Sequence, residues 1–380
     1  MPGTTLDAIA TPALILDVAR VDRNVTRLRA HLTDLGVAFR PHLKTAKSVD
    51  VARRLFPDGW GPITVSTLAE AEYFAAAGAT DITYAVGLAP DKIARVGALV
   101  AGGVDVTVLI DTVEQAQALG AAARDGIAMP AVLIEIDCDG HRGGLLPDDA
   151  VVIAIAEALR AGGIEVRGVL THAGESYACR GGVGLPEAAE QERAAAVAAA
   201  GRLRARGFAA PVVSVGSTPT AHFARMLDGV TEVRAGVFMF FDLVMHGIGV
   251  CAVDDIAVSV LATVVGHRAD KGWILVDAGW MAMSRDRGTQ RHPVDQGYGL
   301  VCDIDGTPYG DLIVADASQE HGIVTVRPGS DATLPMLPIG TRVRILPNHA
   351  CATGGQHDAY RVVDSGGRDV IATWPRMRGW

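Results

Sequence analysis

Cysteine is scarce in this 380-residue chain, with five residues at positions 138, 179, 251, 302 and 351. They are too few and too scattered for a disulfide framework, and a reducing, cytoplasmic setting is the natural expectation. Long apolar runs are also missing. No stretch reaches the ~18 uninterrupted apolar residues of a spanning helix, so no membrane association is expected. The opening MPGTTLDAIATPALILD lacks a basic region leading into an apolar stretch and a small-residue cleavage site, and nothing in it marks the chain for export. Charge of one sign is nowhere concentrated. The formal net charge of −9 is dispersed, without the basic stripe of a nucleic-acid binder. An acidic balance favours solubility and points to no particular partner. Low-complexity tracts and short-period repeats are absent.

What remains is a globular composition, 49% hydrophobic and 20% charged, long enough for about two domains or one large barrel with an appendage. Over the first two-thirds, β-branched runs alternate with Ala-rich amphipathic stretches. The expected strands are 37–45, 63–66, 81–86, 105–111, 131–137, 166–174, 211–217 and 231–240. One helical stretch runs from Glu187 and closes on Gly207, as helices often do. Eight strand–helix alternations argue for a parallel (β/α)8 barrel of the TIM type, ahead of an open doubly wound sheet. Near residue 245 the pattern changes to β-rich runs broken by Gly, Asp and Pro, without a helix-length amphipathic segment, which reads as a C-terminal antiparallel β domain. The expected division is 12–246 for the barrel, with 1–11 and 247–380 for the β domain. The early run 11–17 is one strand more than the barrel needs and is assigned to the β domain.

Four groups of residues carry candidate chemistry. The first is Lys44 in the segment 40–47, at the end of the opening barrel strand. Catalytic residues of such barrels sit at strand C-termini, and a lysine there beside Arg40 and His42 can serve as a Schiff-base amine. Lysines before a helix are ordinarily surface residues, and Lys47 reads that way. The second group is the turn 214–220, where Gly216 lets the backbone approach an anion and Ser217 and Thr218 offer hydroxyl donors. Gly236 and Val237, closing the last barrel strand, add amides. The third group could grip an aromatic ring: Arg142, Tyr177 or Arg234 against a ring nitrogen, with His172 lining the ring. The fourth is His349 and Cys351. On a strand, residues i and i+2 face one side, so an imidazole and a thiolate could share a metal with positions left open. His321 is a second candidate for that neighbourhood. Arg285 and Arg287, in SRDRG, are candidate cationic partners for an anionic group.

The motifs PHLKTAK, EIDCDGHRGG, THAGESY, SVGSTPT, VRAGVFMF and PNHACATG, in this order, resemble the D-threonine aldolase and D-serine dehydratase family. These are pyridoxal-phosphate enzymes of the alanine-racemase fold type, and the resemblance covers essentially the whole chain. It implies that Lys44 carries pyridoxal 5'-phosphate. It implies that His349 and Cys351 hold a divalent metal (zinc, manganese or cobalt). It also implies that Gly216, Ser217, Thr218, Gly236 and Val237 form the phosphate-binding turns, and that Arg142, Tyr177 or Arg234 lies near the pyridine ring. Aldolases of the family tend to place Asp where this chain has Cys351, so the resemblance favours dehydration of a small β-hydroxy-D-amino acid. The first expectation is D-threo-3-hydroxyaspartate to oxaloacetate and ammonia, with D-serine second. Retro-aldol cleavage to glycine and an aldehyde is the alternative, and a non-catalytic pyridoxal-phosphate binder is the alternative of another class. The resemblance also implies a homodimer.

Overall fold

The structure is a computed structural model that describes residues 4–180 and 182–380. Residues 1–3, part of the 1–11 stretch assigned to the β domain, lie outside the described residues. The chain divides into two units. One comprises 27–179, 183–236 and 379–380, the other 1–26, 180–182 and 237–378.

The first unit is a parallel barrel. Strand β1 (Ala13–Asp17) belongs to the other unit. The barrel strands are β2 (Ala38–Phe39), β3 (Ile63–Val65), β4 (Asp81–Gly87), β5 (Asp105–Ile110), β6 (Ala131–Ile136), β7 (Val166–Thr171), β8 (Val212–Val215) and β9 (Glu232–Val233). They lie in the order β2-β9-β8-β7-β6-β5-β4-β3, each neighbouring pair parallel. A parallel bridge between His42 and Thr64 closes the ring, with Leu43 N–H donating to the Thr64 carbonyl and Thr64 N–H to the Pro41 carbonyl, both at 2.9 Å. All eight expected strands are present. Two are far shorter than their apolar runs, β2 and β9, because the chain beyond Phe39 and Val233 turns into the loops that carry Lys44 and Gly236.

Strands such as Ile63–Val65 are buried along their whole length, as strands covered on both faces must be. The covering helices are amphipathic. In helix Leu185–Ala205 the residues Leu185, Ala189, Glu192, Ala196, Ala199, Ala200 and Leu203 are buried, a stripe at spacings of three and four. Glu192 is the one charged member of that stripe. Helix Val113–Arg124 starts on a capping box between Thr112 and Gln115, which satisfies amides that have no partner within the helix.

The second unit is a nine-stranded sheet. To β1 it adds β10 (Val258–Arg268), β11 (Trp273–Val276), β12 (Gly299–Cys302), β13 (Pro308–Ala317), β14 (Gly322–Val326), β15 (Arg342–Pro347), β16 (Ala359–Val363) and β17 (Ala372–Pro375). The order is β11-β14-β13-β12-β15-β10-β1-β16-β17, with β10 also pairing β11, so six strands form a closed ring and three extend from it. Every pairing is antiparallel except β1 with β16. All five residues of β1 are buried, four of them apolar and the fifth the carboxylate Asp17. The ring of Phe240 meets Tyr360 edge-on at 5.7 Å, a favoured aromatic geometry. No helix among the described residues is long and apolar enough to cross a membrane.

One expectation fails here. Pro347-Asn348-His349-Ala350-Cys351 is not a strand. Strand β15 stops at Pro347, His349 is the N-cap of a short helix, and Cys351 lies within that helix, Ala350–Gly354. The ladder gives way because the segment's polar groups have other partners. The buried Asp242 carboxylate accepts the Ala350 amide at 2.9 Å. The buried Asn348 side chain accepts from the Thr289 amide and hydroxyl and donates to the Gly297 carbonyl.

Candidate active-site residues

Lys44 stands in the turn that follows β2, its side chain exposed. The Lys44 amide donates to Nδ1 of His42 at 3.4 Å, and Nε2 of His42 lies 3.2 Å from the Ser66 hydroxyl. This network assigns the His42 proton to Nε2. Burial, then the charges of Lys44 and Arg234, hold His42 well below the usual histidine range, so it is a neutral fixture of the turn. Lys47 is occupied elsewhere: its ammonium pairs with the buried Glu70 carboxylate at 3.0 Å. The two lysines of PHLKTAK thus differ in environment.

At the end of β7, Nδ1 of His172 donates to the Gly216 carbonyl at 2.8 Å. The Tyr177 ring lies 6.3 Å from the His172 ring, tilted by 48°. Burial pushes His172 down to about 3. The Gly216 carbonyl opposes that shift, while Arg142, Lys44 and Arg234 add to it. Arg234 is buried, and its guanidinium donates to the Ser214 hydroxyl and the Thr171 carbonyl, both at 2.6 Å. Burial lowers it to about 10 against the attraction of Glu232, Glu192 and Glu135. Arg142 is exposed, 3.8 Å from Glu135. The structure therefore gathers Lys44, His42, His172, Tyr177, Arg142 and Arg234 into one electrostatic neighbourhood at the C-terminal ends of the barrel strands.

The turn after β8 belongs to the same end of the barrel. Gly216 has φ +150, and a Cβ there would lie 1.9 Å from the Arg234 carbonyl oxygen, so only glycine fits. Its amide donates to Glu192 at 2.9 Å. Ser217 caps helix Thr218–Phe223 in a capping box with Thr220. The Thr218 hydroxyl is buried without a partner among the described residues. At Gly236 a Cβ would press on the Thr45 hydroxyl at 3.0 Å and the His42 carbonyl at 3.1 Å. Val237 opens a short buried turn, Val237–Met239, in the other unit.

In that unit His349 and Cys351 meet. Nδ1 of His349 lies 2.6 Å from the Asp286 carboxylate, which leaves Nε2 for the side-chain hydrogen bond with Cys351. Burial opposes a charge on His349, but Cys351 and Asp286 outweigh it and lift the group to about 11. The His349 hydrogen bond holds Asp286 below the usual carboxylate range. Asp242 anchors the segment from behind, accepting the amides of Met245 and Ala350 at 3.0 and 2.9 Å. His321 is exposed, and the partner found on Nδ1 of His349 is Asp286. Arg287 pairs with Asp295 at 2.7 Å, whereas Arg285 lies over the Trp280 ring at 4.4 Å.

Comparison with known proteins bears on these two constellations. The family model described as "Alanine racemase, N-terminal domain" matches residues 16–244, and a serine dehydratase domain model matches 257–363. D-threo-3-hydroxyaspartate dehydratase from Delftia sp. (strain HT23) is 52% identical over 99% of both chains. The chain belongs to the D-threonine aldolase and D-serine dehydratase family. Other members include 3-hydroxy-D-aspartate aldolase of Paracoccus denitrificans, 30% identical over 99% of this chain and 93% of that protein. D-serine dehydratase of Dictyostelium discoideum is 28% identical over 99% and 98%. The solved Delftia dehydratase superposes with a TM-score of 0.95 over 99% of this chain and all of that one, at 51% identity. A histidine-to-alanine mutant of it has also been solved, as has a mutant of a cysteine two positions further on, the latter in the metal-free form.

Membership of this alanine-racemase-like family raises pyridoxal phosphate and a metal, and the residues present fit both. The unpartnered Thr218 hydroxyl beside the Gly216 turn is an unmet donor of the kind an anion satisfies. The Lys44 amine and the Arg234 and Arg142 cations share its end of the barrel. For a metal, His349 and Cys351 supply one nitrogen and one sulfur, a donor set suited to zinc and its neighbours. Among the described residues no group of three or more His, Cys, Asp or Glu side chains is arranged around an ion site. Asp286 on Nδ1 is the outer partner that metal-binding histidines ordinarily have. Replacing Asp286 with Asn is therefore expected to weaken zinc or manganese binding by about 10–100-fold. Calorimetric titration of the metal-stripped protein reads this directly, and an unchanged affinity would show that Asp286 does not orient the imidazole.

Proposed function

We propose that the chain is a pyridoxal-phosphate- and divalent-metal-dependent lyase that dehydrates β-hydroxy-D-amino acids, with D-threo-3-hydroxyaspartate its main substrate. The observation that carries this reading is the His349–Cys351 pair with Asp286 on the imidazole. Such a pair is suited to a metal that assists the departure of hydroxide. The 52% identity to the Delftia dehydratase over nearly the full length of both chains supports the substrate choice.

When bound, pyridoxal phosphate supplies an electron sink for charge at the substrate Cα, and a divalent ion supplies a Lewis acid at the β-oxygen. The chain does the rest. Lys44 would hold the cofactor, and its amine would take the α-proton. The neutral His42 and His172 fix the turns around it without competing for that proton near neutral pH. Gly216, Ser217, Thr218, Gly236 and Val237 would hold the phosphate group, and Arg142, Tyr177 or Arg234 would meet the ring nitrogen. His349 and Cys351 hold the metal, zinc, manganese or cobalt. The β-hydroxyl leaves as water, and hydrolysis of the product returns one water, so hydroxyaspartate gives oxaloacetate and ammonia with no net water consumed. A homodimer belongs to the same proposal, on the resemblance to the family alone.

The aldolase relatives make retro-aldol cleavage the second reading, and the two reactions release different nitrogen compounds. With D-threo-3-hydroxyaspartate, D-serine and D-threonine as substrates, ammonia is the expected product and hydroxyaspartate the fastest substrate. Glycine as the main product would reverse the assignment.

A further inference from the structure

Glu192 is a carboxylate where a helix should have an apolar residue. It sits in the buried stripe of helix Leu185–Ala205, 1% exposed. One of its oxygens accepts the amides of Ala173 and Gly216, both at 2.9 Å. The other accepts the Thr220 hydroxyl at 2.7 Å. A single side chain thus ties the turn after β7 to the turn after β8. A buried carboxylate is costly unless hydrogen-bonded, and three donors answer that cost.

These bonds also fix which of the neighbouring hydroxyls can still donate. The Thr220 proton is committed to Glu192. The Ser176 proton is committed to the Ala173 carbonyl at 2.6 Å. Ser217 lies 2.9 Å from the Thr220 oxygen and 3.0 Å from the Ser176 oxygen, and both of those can only accept from it. Of this hydroxyl trio, Ser217 alone keeps a proton that can be redirected to a ligand, and the adjacent Thr218 hydroxyl has no partner among the described residues. An anion at the turn therefore meets donors instead of lone pairs.

We propose that Glu192 is a positioning residue for the cofactor's phosphate group: without touching it, Glu192 locks the Gly216–Thr220 turn and sets the direction in which its hydroxyls donate. This rests on the pyridoxal-phosphate reading above. The test uses the full chain freed of cofactor and compares affinity for pyridoxal phosphate with affinity for pyridoxal, which has the aldehyde and ring but no phosphate. Glu192→Gln keeps the shape but turns an N–H toward Thr220. Thr220→Val removes the same link without altering charge. Each variant is expected to lose about tenfold in affinity for pyridoxal phosphate, the scale of one unmade buried hydrogen bond, while affinity for pyridoxal stays as in the wild type. Equal losses for both ligands, or no loss in Thr220→Val, would overturn the inference. If Glu192→Gln does not fold, Thr220→Val decides alone. A wild-type protein that takes up neither ligand would remove the cofactor reading itself, a result distinct from either variant outcome.

Discussion

Replacing Lys44 with alanine is expected to abolish the visible absorbance of lysine-bound pyridoxal phosphate and to end turnover. Proton transfer by a positioned side chain is worth roughly 10²–10⁴-fold on its own, and losing the covalent anchor adds to that. The choice between the two lysines is physical. The Lys47 ammonium is bound at 3.0 Å to a carboxylate with no exposure, and freeing it would strand the Glu70 charge in the interior, which is costly. Lys44 sits among Arg234, His172 and His42, where electrostatic coupling links it to both imidazoles. Lys47→Ala should accordingly keep the absorbance band and lower stability instead. Spectra of the two variants with added cofactor, alongside ammonia release, check the pair of expectations. A band that survives in Lys44→Ala and vanishes in Lys47→Ala would exchange their roles.

The second large effect belongs to Cys351. Cys351→Ala is expected to keep the absorbance band and lose metal-dependent turnover by about two orders of magnitude or more. A Lewis acid contributes several kcal/mol at a developing negative oxygen, and each ~1.4 kcal/mol is a factor of ten. Truncating the thiol removes half of the protein donor set and leaves His349 with Asp286 alone. Metal content measured on the purified variant, together with turnover with and without added zinc or manganese, separates loss of the ion from loss of fold. A variant that binds no metal yet turns over at the wild-type rate would refute the role of the pair.

Much of the fold was legible in the sequence because it is written in periodicity. Eight β-branched runs with amphipathic stretches between them specify a parallel barrel, and all eight occur where the runs are. The apolar run at Ala13–Asp17 pairs with β10 and β16 in the nine-stranded sheet. The least legible parts are those where a polar side chain overrides the local pattern. Pro347–Cys351 reads as an extension of β15, yet Asp242, more than a hundred residues earlier, draws the Ala350 amide into a helix start. His349 and Cys351 still meet, through an N-cap and the first helical turn instead of the alternation of a strand.

Three carboxylates escaped the reading of the sequence for the same reason. Asp286 lies in SRDRG, where the arginines draw the eye, and only the fold places it on His349. Glu192 sits in an Ala-, Glu- and Arg-rich helix and looks like any solvated acid until the stripe spacing of three and four is counted across it. That spacing was the one available signal. Asp242, in VFMFFDLVM, follows five aromatic or apolar residues, and its role as a buried amide acceptor depends on a partner far away in the chain.

The most direct measurement is a nitrogen balance on D-threo-3-hydroxyaspartate with metal-stripped, cofactor-loaded enzyme, before and after zinc or manganese is restored. If the Lys44 amine and the His349–Cys351 pair serve one elimination, almost no ammonia forms without metal. Adding the ion should then release ammonia and oxaloacetate in equal amounts, with no glycine. Ammonia at the full rate in the stripped enzyme, or glycine on adding metal, would contradict the account.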